Sequence, residues 1–103
     1  MALFPTHRPP VHPGEVLVEE FLKPFEISQV ELAERLGVTF QRVNAIANGR
    51  RSITPDTALR LSKVFGTSAA FWLNLQQGLD LYEAMHSDEA KEIEKLRPIG
   101  VTA

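Results

Sequence analysis

Residues 29–48 read QVELAERLGVTFQRVNAIAN, and this stretch decides the fold. Ser28 with Glu31 three residues on is a capping box, and it opens a helix whose apolar positions are Val30, Leu32, Ala33 and Leu36. Gly37 ends that helix, since glycine adopts the positive φ that turns the chain within about three residues. Thr39 caps a second helix with Phe40, Val43, Ile46 and Ala47 on its apolar side and Asn48-Gly49 at its end. Ala33 is small because the second helix crosses close over it, and Val38, Val43 and Ile46 lock the two together. Such a rigid pair can present its second helix to the major groove of DNA, which is wide enough to admit one.

At 100° per residue, turning Val43, Ile46 and Ala47 inward puts Gln41, Ala45 and Asn48 at the centre of the outward face, flanked by Arg42 and Asn44. Gln41 and Asn44 suit paired hydrogen bonds to adenine, Arg42 suits guanine or phosphate, and Ala45 is small enough to approach a thymine methyl. Gln29 and Thr39 start the two helices, where side-chain and backbone donors meet phosphate. Arg50 and Arg51, just beyond the second helix, complete an expected phosphate clamp. Taken singly, each of these polar residues reads as merely solvated; the whole pattern points to DNA. Phe40 reads as a partly buried core aromatic rather than a base contact.

Outward from this stretch the chain reads as all-α, five to six short helices, with no run that alternates apolar and polar residues as a strand does. Pro13 opens a first helix that runs to Lys23, where Pro24 stops it. Thr54, Pro55 and Asp56 give a cap, a first-turn proline and a negative charge at the positive end of the helix dipole, starting a helix to about Phe65. Ser68 caps a longer helix carrying Phe71, Trp72, Leu73, Leu75, Leu79, Leu81, Tyr82 and Met85, more apolar surface than one face needs. Trp72, Leu75, Leu79 and Tyr82 are its expected dimer contacts. Ser87 and Asp88 begin a charged last helix with Ala90, Ile93 and Leu96 as a narrow stripe, stopped by Pro98. The expected organisation is an arm over 1–11, a single domain over 12–97 and a loose tail over 98–103.

With 103 residues and 44% apolar positions the chain can bury one core. No apolar run approaches the roughly 18 residues of a membrane span, and the N-terminus has no secretory pattern. Without cysteine there is no disulfide framework, so the cytoplasm is the expected compartment. The net charge of −2 conceals its distribution, which is −4 over residues 1–34, +5 over 35–65 and −3 over 66–103. A basic centre between acidic flanks suits phosphate on one face and another partner elsewhere. His7, His12 and His86 lack metal-ligand spacing, no nucleophile stands with a base, and no cofactor is implied; His12 reads as a residue at the start of the first helix.

Residues 29–48 resemble the helix-turn-helix of the phage-repressor (Cro/C1, or Xre) family. HPGEVLVEEFLKPFEISQVELAERLGV at 12–38, NGRRSITPDTALRLSKVFGTSAAFWLNLQ at 48–76 and the following Asp80-Leu81 resemble HigA antitoxins, earlier labelled virulence-associated VapI proteins, over about residues 10–85. The resemblance implies a lambda-repressor-like DNA-binding domain. It also implies a homodimer that represses its own operon at a palindromic operator and neutralises a HigB-type toxin, a ribosome-dependent mRNA endonuclease. The family's DNA-contacting positions carry over to Thr39, Gln41, Arg42, Asn44, Arg50 and Arg51. Two other readings fit the residues: a stand-alone phage-type repressor without a toxin, and a protein-interaction module that has lost DNA binding.

Overall fold

The computed structural model describes residues 10–100 and contains six helices with no strand among them. Most of the expected arm and the end of the expected tail, 1–9 and 101–103, lie outside the described residues.

The first helix, α1 (13–25), begins with the α-helical turn Pro13–Leu17, widens to a π-helical segment at Val18–Leu22 and closes with Lys23–Phe25. His12 caps it, its Nδ1 accepting from the Gly14 N–H at 2.8 Å. The expected stop before Pro24 is not observed, and the helix passes through the proline to Phe25. A proline normally clashes with the carbonyl four residues back and lacks the N–H that would bond it. Here the preceding segment bonds five residues back, as in Lys23 N–H to the Val18 carbonyl, and the wider winding takes up both defects. Glu26, at φ 55°, then turns the chain into α2.

α2 (Gln29–Leu36) starts on Ser28, whose Oγ accepts from the Glu31 N–H at 3.0 Å, and ends on Gly37 at φ 73°. α3 (Phe40–Ala47) starts on Thr39, whose Oγ1 accepts from the Arg42 N–H at 3.1 Å. α4 (Pro55–Phe65) and α5 (Ala69–Met85) start on Thr54 and Ser68 in the same way. α6 (Glu89–Glu94) stops short of Pro98. None of its residues is buried, and Ile93 and Leu96 are 57% and 74% exposed, so no core contact extends it along the expected stripe.

All five longer helices contribute to one core: Leu17 and Leu22 from α1, Leu32, Ala33 and Leu36 from α2, Val43 and Ile46 from α3, Ala58 and Leu61 from α4, and Trp72 from α5. A buried leucine contributes roughly 1.5–3 kcal/mol, so these positions dominate the fold. Val30, expected in this core, is 55% exposed on α2, and Phe40 is 43% exposed. Trp72 is the reverse case. Expected at a dimer interface, it is wholly buried within the chain, its indole N–H donating to Thr67 Oγ1 at 2.8 Å and its ring packed against Phe21, Phe65 and Phe71. It is thereby removed from the dimer contacts, because α1 and α4 already cover it. Among the described residues no helix is long and apolar enough to cross a membrane.

Candidate nucleic-acid interface

α3 lies with Val43 and Ile46 in the core, which leaves Gln41 and Asn48 exposed and Ala45 half-exposed on the opposite side. Its two flanks are tied down by different polar networks. On one flank Asn44 Nδ2 donates to Gln29 Oε1 at 3.0 Å, joining the start of α2 to the middle of α3. The Asn44 Oδ1 accepts from Asn48 Nδ2 at 3.1 Å and from Arg50 Nη2 at 3.3 Å. Gln29, Asn44, Asn48 and Arg50, chosen separately from the sequence, thus form one connected polar group.

The other flank departs from expectation. Arg42 does not stand free for guanine or phosphate: its side chain is 20% exposed, and its Nη2 donates to Asp56 Oδ2 at 2.7 Å and to Thr57 Oγ1 at 2.6 Å on α4. Its Nε is buried without a partner. The wheel position that places Arg42 opposite Asn44 aims it at the start of α4, and Asp56 competes for it with solvent. The same Asp56 Oδ2 accepts from Arg60 Nε at 2.9 Å, while Arg60 Nη1 donates to the Leu36 carbonyl at 2.8 Å, the last of α2. Hydrogen bonds from Arg42 and then Arg60 hold the Asp56 carboxyl below its usual range. One carboxylate therefore links α2, α3 and α4.

The loop beyond α3 is fixed from below. Arg50 N–H bonds the Ala45 carbonyl at 2.8 Å, and the buried Ile53 N–H donates to Gln76 Oε1 at 2.8 Å. Gln76, itself buried on α5, is oriented by its Nε2 bond to Asp80 at 2.9 Å. Arg50 and Arg51 stay exposed on this anchored loop. At the far side α1 closes on α3 so tightly that a Cβ on Gly14 would overlap the Ile46 carbonyl. Sequence reasoning passed over three positioning residues. Asp56 was read only against the helix dipole, though as the single acid in the basic segment 35–65 it carried a signal. Arg60 and Gln76 each pair with an acid four residues away, Asp56 and Asp80, but the contacts by which they position the site, to the Leu36 carbonyl and the Ile53 N–H, are to backbone groups remote in sequence.

The helix-turn-helix family pattern matches residues 18–72. The chain is similar to virulence-associated protein I of Dichelobacter nodosus, 43% identical over 95 residues that cover 92% of this chain and 86% of that protein. It is similar to antitoxin HigA-1 of Vibrio cholerae, 38% identical over 93 residues, with 88% of each chain covered. Among solved structures, Pseudomonas aeruginosa antitoxin HigA with the higBA promoter superposes at a TM-score of 0.81, with 43% identity over 87% of this chain and 98% of that one. The chain belongs to the helix-turn-helix family of the phage-repressor (Xre, Cro/C1) type, among the HigA antitoxins.

Proposed function

We propose that the chain is a DNA-binding antitoxin that acts in the cytoplasm: as a homodimer it binds an operator in its own promoter and represses its operon, and it neutralises a HigB-type mRNA endonuclease. The connected group Gln29, Asn44, Asn48 and Arg50 beside the exposed Gln41 carries this reading, because four polar side chains already held by mutual hydrogen bonds cost little ordering on contact. Gln41, Asn44 and Asn48 offer amides to base edges, and Ala45 leaves room for a thymine methyl. Gln29, Thr39, Arg50 and Arg51 meet phosphate on either side. The family kinship supplies the operator and the toxin.

One recognition helix reads only a few base pairs, so a two-fold dimer places two of them about 34 Å apart. Its interface uses the second half of α5, where Leu81 and Met85 are 41% and 47% exposed and form, with Ala84, Ala90 and Ile93, an apolar groove of about 300 Å3. Of the other expected contacts, Leu75 packs against the core and Leu79 lies beside the Arg50–Arg51 loop, both outside this groove, while Tyr82 is half-buried and stacks on His86. The test is a fluorescence-anisotropy titration of the protein against its own promoter and a scrambled duplex at about 150 mM salt. Promoter-selective binding that is lost on joint alanine replacement of Gln41, Asn44 and Asn48 is expected; equal weak binding to both duplexes would refute the repressor reading.

A further inference from the structure

We propose that Asp56 sets the DNA selectivity of this protein by holding Arg42 and Arg60 back from phosphate, an inference that rests on the DNA-binding reading above. Asp56 is the single acid among the seven charged residues of segment 35–65 that was expected to face DNA. Its carboxylate is more than half exposed, yet one oxygen, Oδ2, takes both Arg42 Nη2 at 2.7 Å and Arg60 Nε at 2.9 Å. A carboxylate presents to a guanidinium the same charge-assisted oxygens as a phosphate does. Asp56 is thus an internal stand-in for the phosphate group, set on the flank of α3 away from the connected amides.

The consequence for recognition follows from how the two kinds of contact differ. Phosphate contacts strengthen binding to every sequence alike, whereas base contacts distinguish sequences. An Arg42 and an Arg60 at liberty would add general affinity and dilute the preference that Gln41, Asn44 and Asn48 supply. Held by Asp56, Arg42 instead positions α3 against α4, and its side chain is only 20% exposed. Thr57, buried at the third position of α4, accepts from the same Nη2 at 2.6 Å and keeps the guanidinium in place.

The test replaces Asp56→Asn in the full chain, with Asp56→Glu as the conservative control, and measures binding to promoter and scrambled duplexes over a series of salt concentrations, folding being checked by circular dichroism. Each arginine released to phosphate steepens the log–log salt slope by about 0.9, which is roughly a five-fold gain at about 0.15 M salt relative to about 1 M. Asp56→Asn is expected to tighten scrambled-duplex binding by about five- to thirty-fold with the steeper slope, narrowing the promoter preference, and Asp56→Glu to restore the wild-type slope. In an Arg42→Met, Arg60→Met background the same Asp56→Asn change is expected to leave the slope where that background has it. An unchanged scrambled-duplex slope in folded Asp56→Asn, or a gain that persists without the two arginines, overturns the proposal. Should Asp56→Asn not fold, Arg60→Met with Asp56 intact replaces it: an unchanged slope supports the restraint, and a slope shallower by about 0.9 shows that Arg60 already meets phosphate and overturns it. Wild-type protein that binds neither duplex would instead sink the DNA-binding reading itself.

Discussion

Gly14 and Asp56 show how single positions hold the recognition helix in place. Gly14 sits where any side chain would strike the carbonyl of Ile46, a backbone atom that cannot turn aside. Alanine is the better helix former by up to about 1 kcal/mol, but overpacking against backbone costs about 1–3 kcal/mol, so the clash wins. Gly14→Ala is expected to lower the urea midpoint and to tilt α1 away from α3, with weaker promoter binding. A midpoint at or above wild type would show that the helices part without cost. Asp56 acts through charge. Its folded carboxyl titrates below the ordinary range because Arg42 and Arg60 bond it, so it releases its proton more readily folded than unfolded. Its stabilisation is present above the unfolded value, near pH 4, and is lost as pH falls through the lower folded one. The melting temperature of the wild type should therefore fall more steeply than that of Asp56→Asn below about pH 4; parallel curves would count against it.

At the scale of elements, the anchoring of the arginine loop gives the clearest consequence. Gln76 supplies the one partner of the buried Ile53 N–H, and Gln76→Ala leaves that donor unsatisfied at a cost of about 1–3 kcal/mol. The loop with Arg50 and Arg51 is then free to wander. Thermal melts should show the loss, and DNA titrations should show weaker binding with the sequence preference kept, since α3 is untouched; a changed preference would mean that Gln76 acts on α3 instead. Helix starts were plain in the sequence because Ser28, Thr39, Thr54 and Ser68 each bond their own helix, a contact within three residues. Asn44 and Asn48 were legible for a similar reason, since helical spacing brings them together, whereas Gln29 and Arg50 join them through the turn between α2 and α3 and the loop beyond α3. Most of what escaped was decided by distant neighbours. The burial of Trp72 under α1 and α4 and the capture of Arg42 by Asp56 depend on how helices pack, and the passage of α1 through Pro24 on the π-helical winding before it, none of which a local pattern of caps and breakers states.

At the scale of the molecule, the described residues form a long body for their number, 54 × 24 × 23 Å, with a radius of gyration of 16.8 Å where about 13 Å is usual for about 100 residues. The core gathers α1 to α4 and the first half of α5; past Gly78 no residue of α5 is buried, and α6 buries none. A helix end that carries Leu81, Met85 and Ile93 but meets no core gains little from its own chain. Pairing with a second copy along a two-fold axis would cover it and set two recognition helices at the spacing of a DNA turn. The charge division agrees, because the basic segment stays on the α3 side while α5 and α6 belong to the acidic third. Met85→Asp puts a charge into the groove and opposite its own copy, and is expected to yield monomers in sedimentation equilibrium. Each monomer should keep its fold, since Met85 touches no core residue. Operator affinity should drop by about 10²–10⁴-fold, the advantage that linking two half-sites confers, while affinity for a single half-site stays the same. A variant that remains dimeric and binds the operator as the wild type does would place the interface elsewhere on the acidic surface.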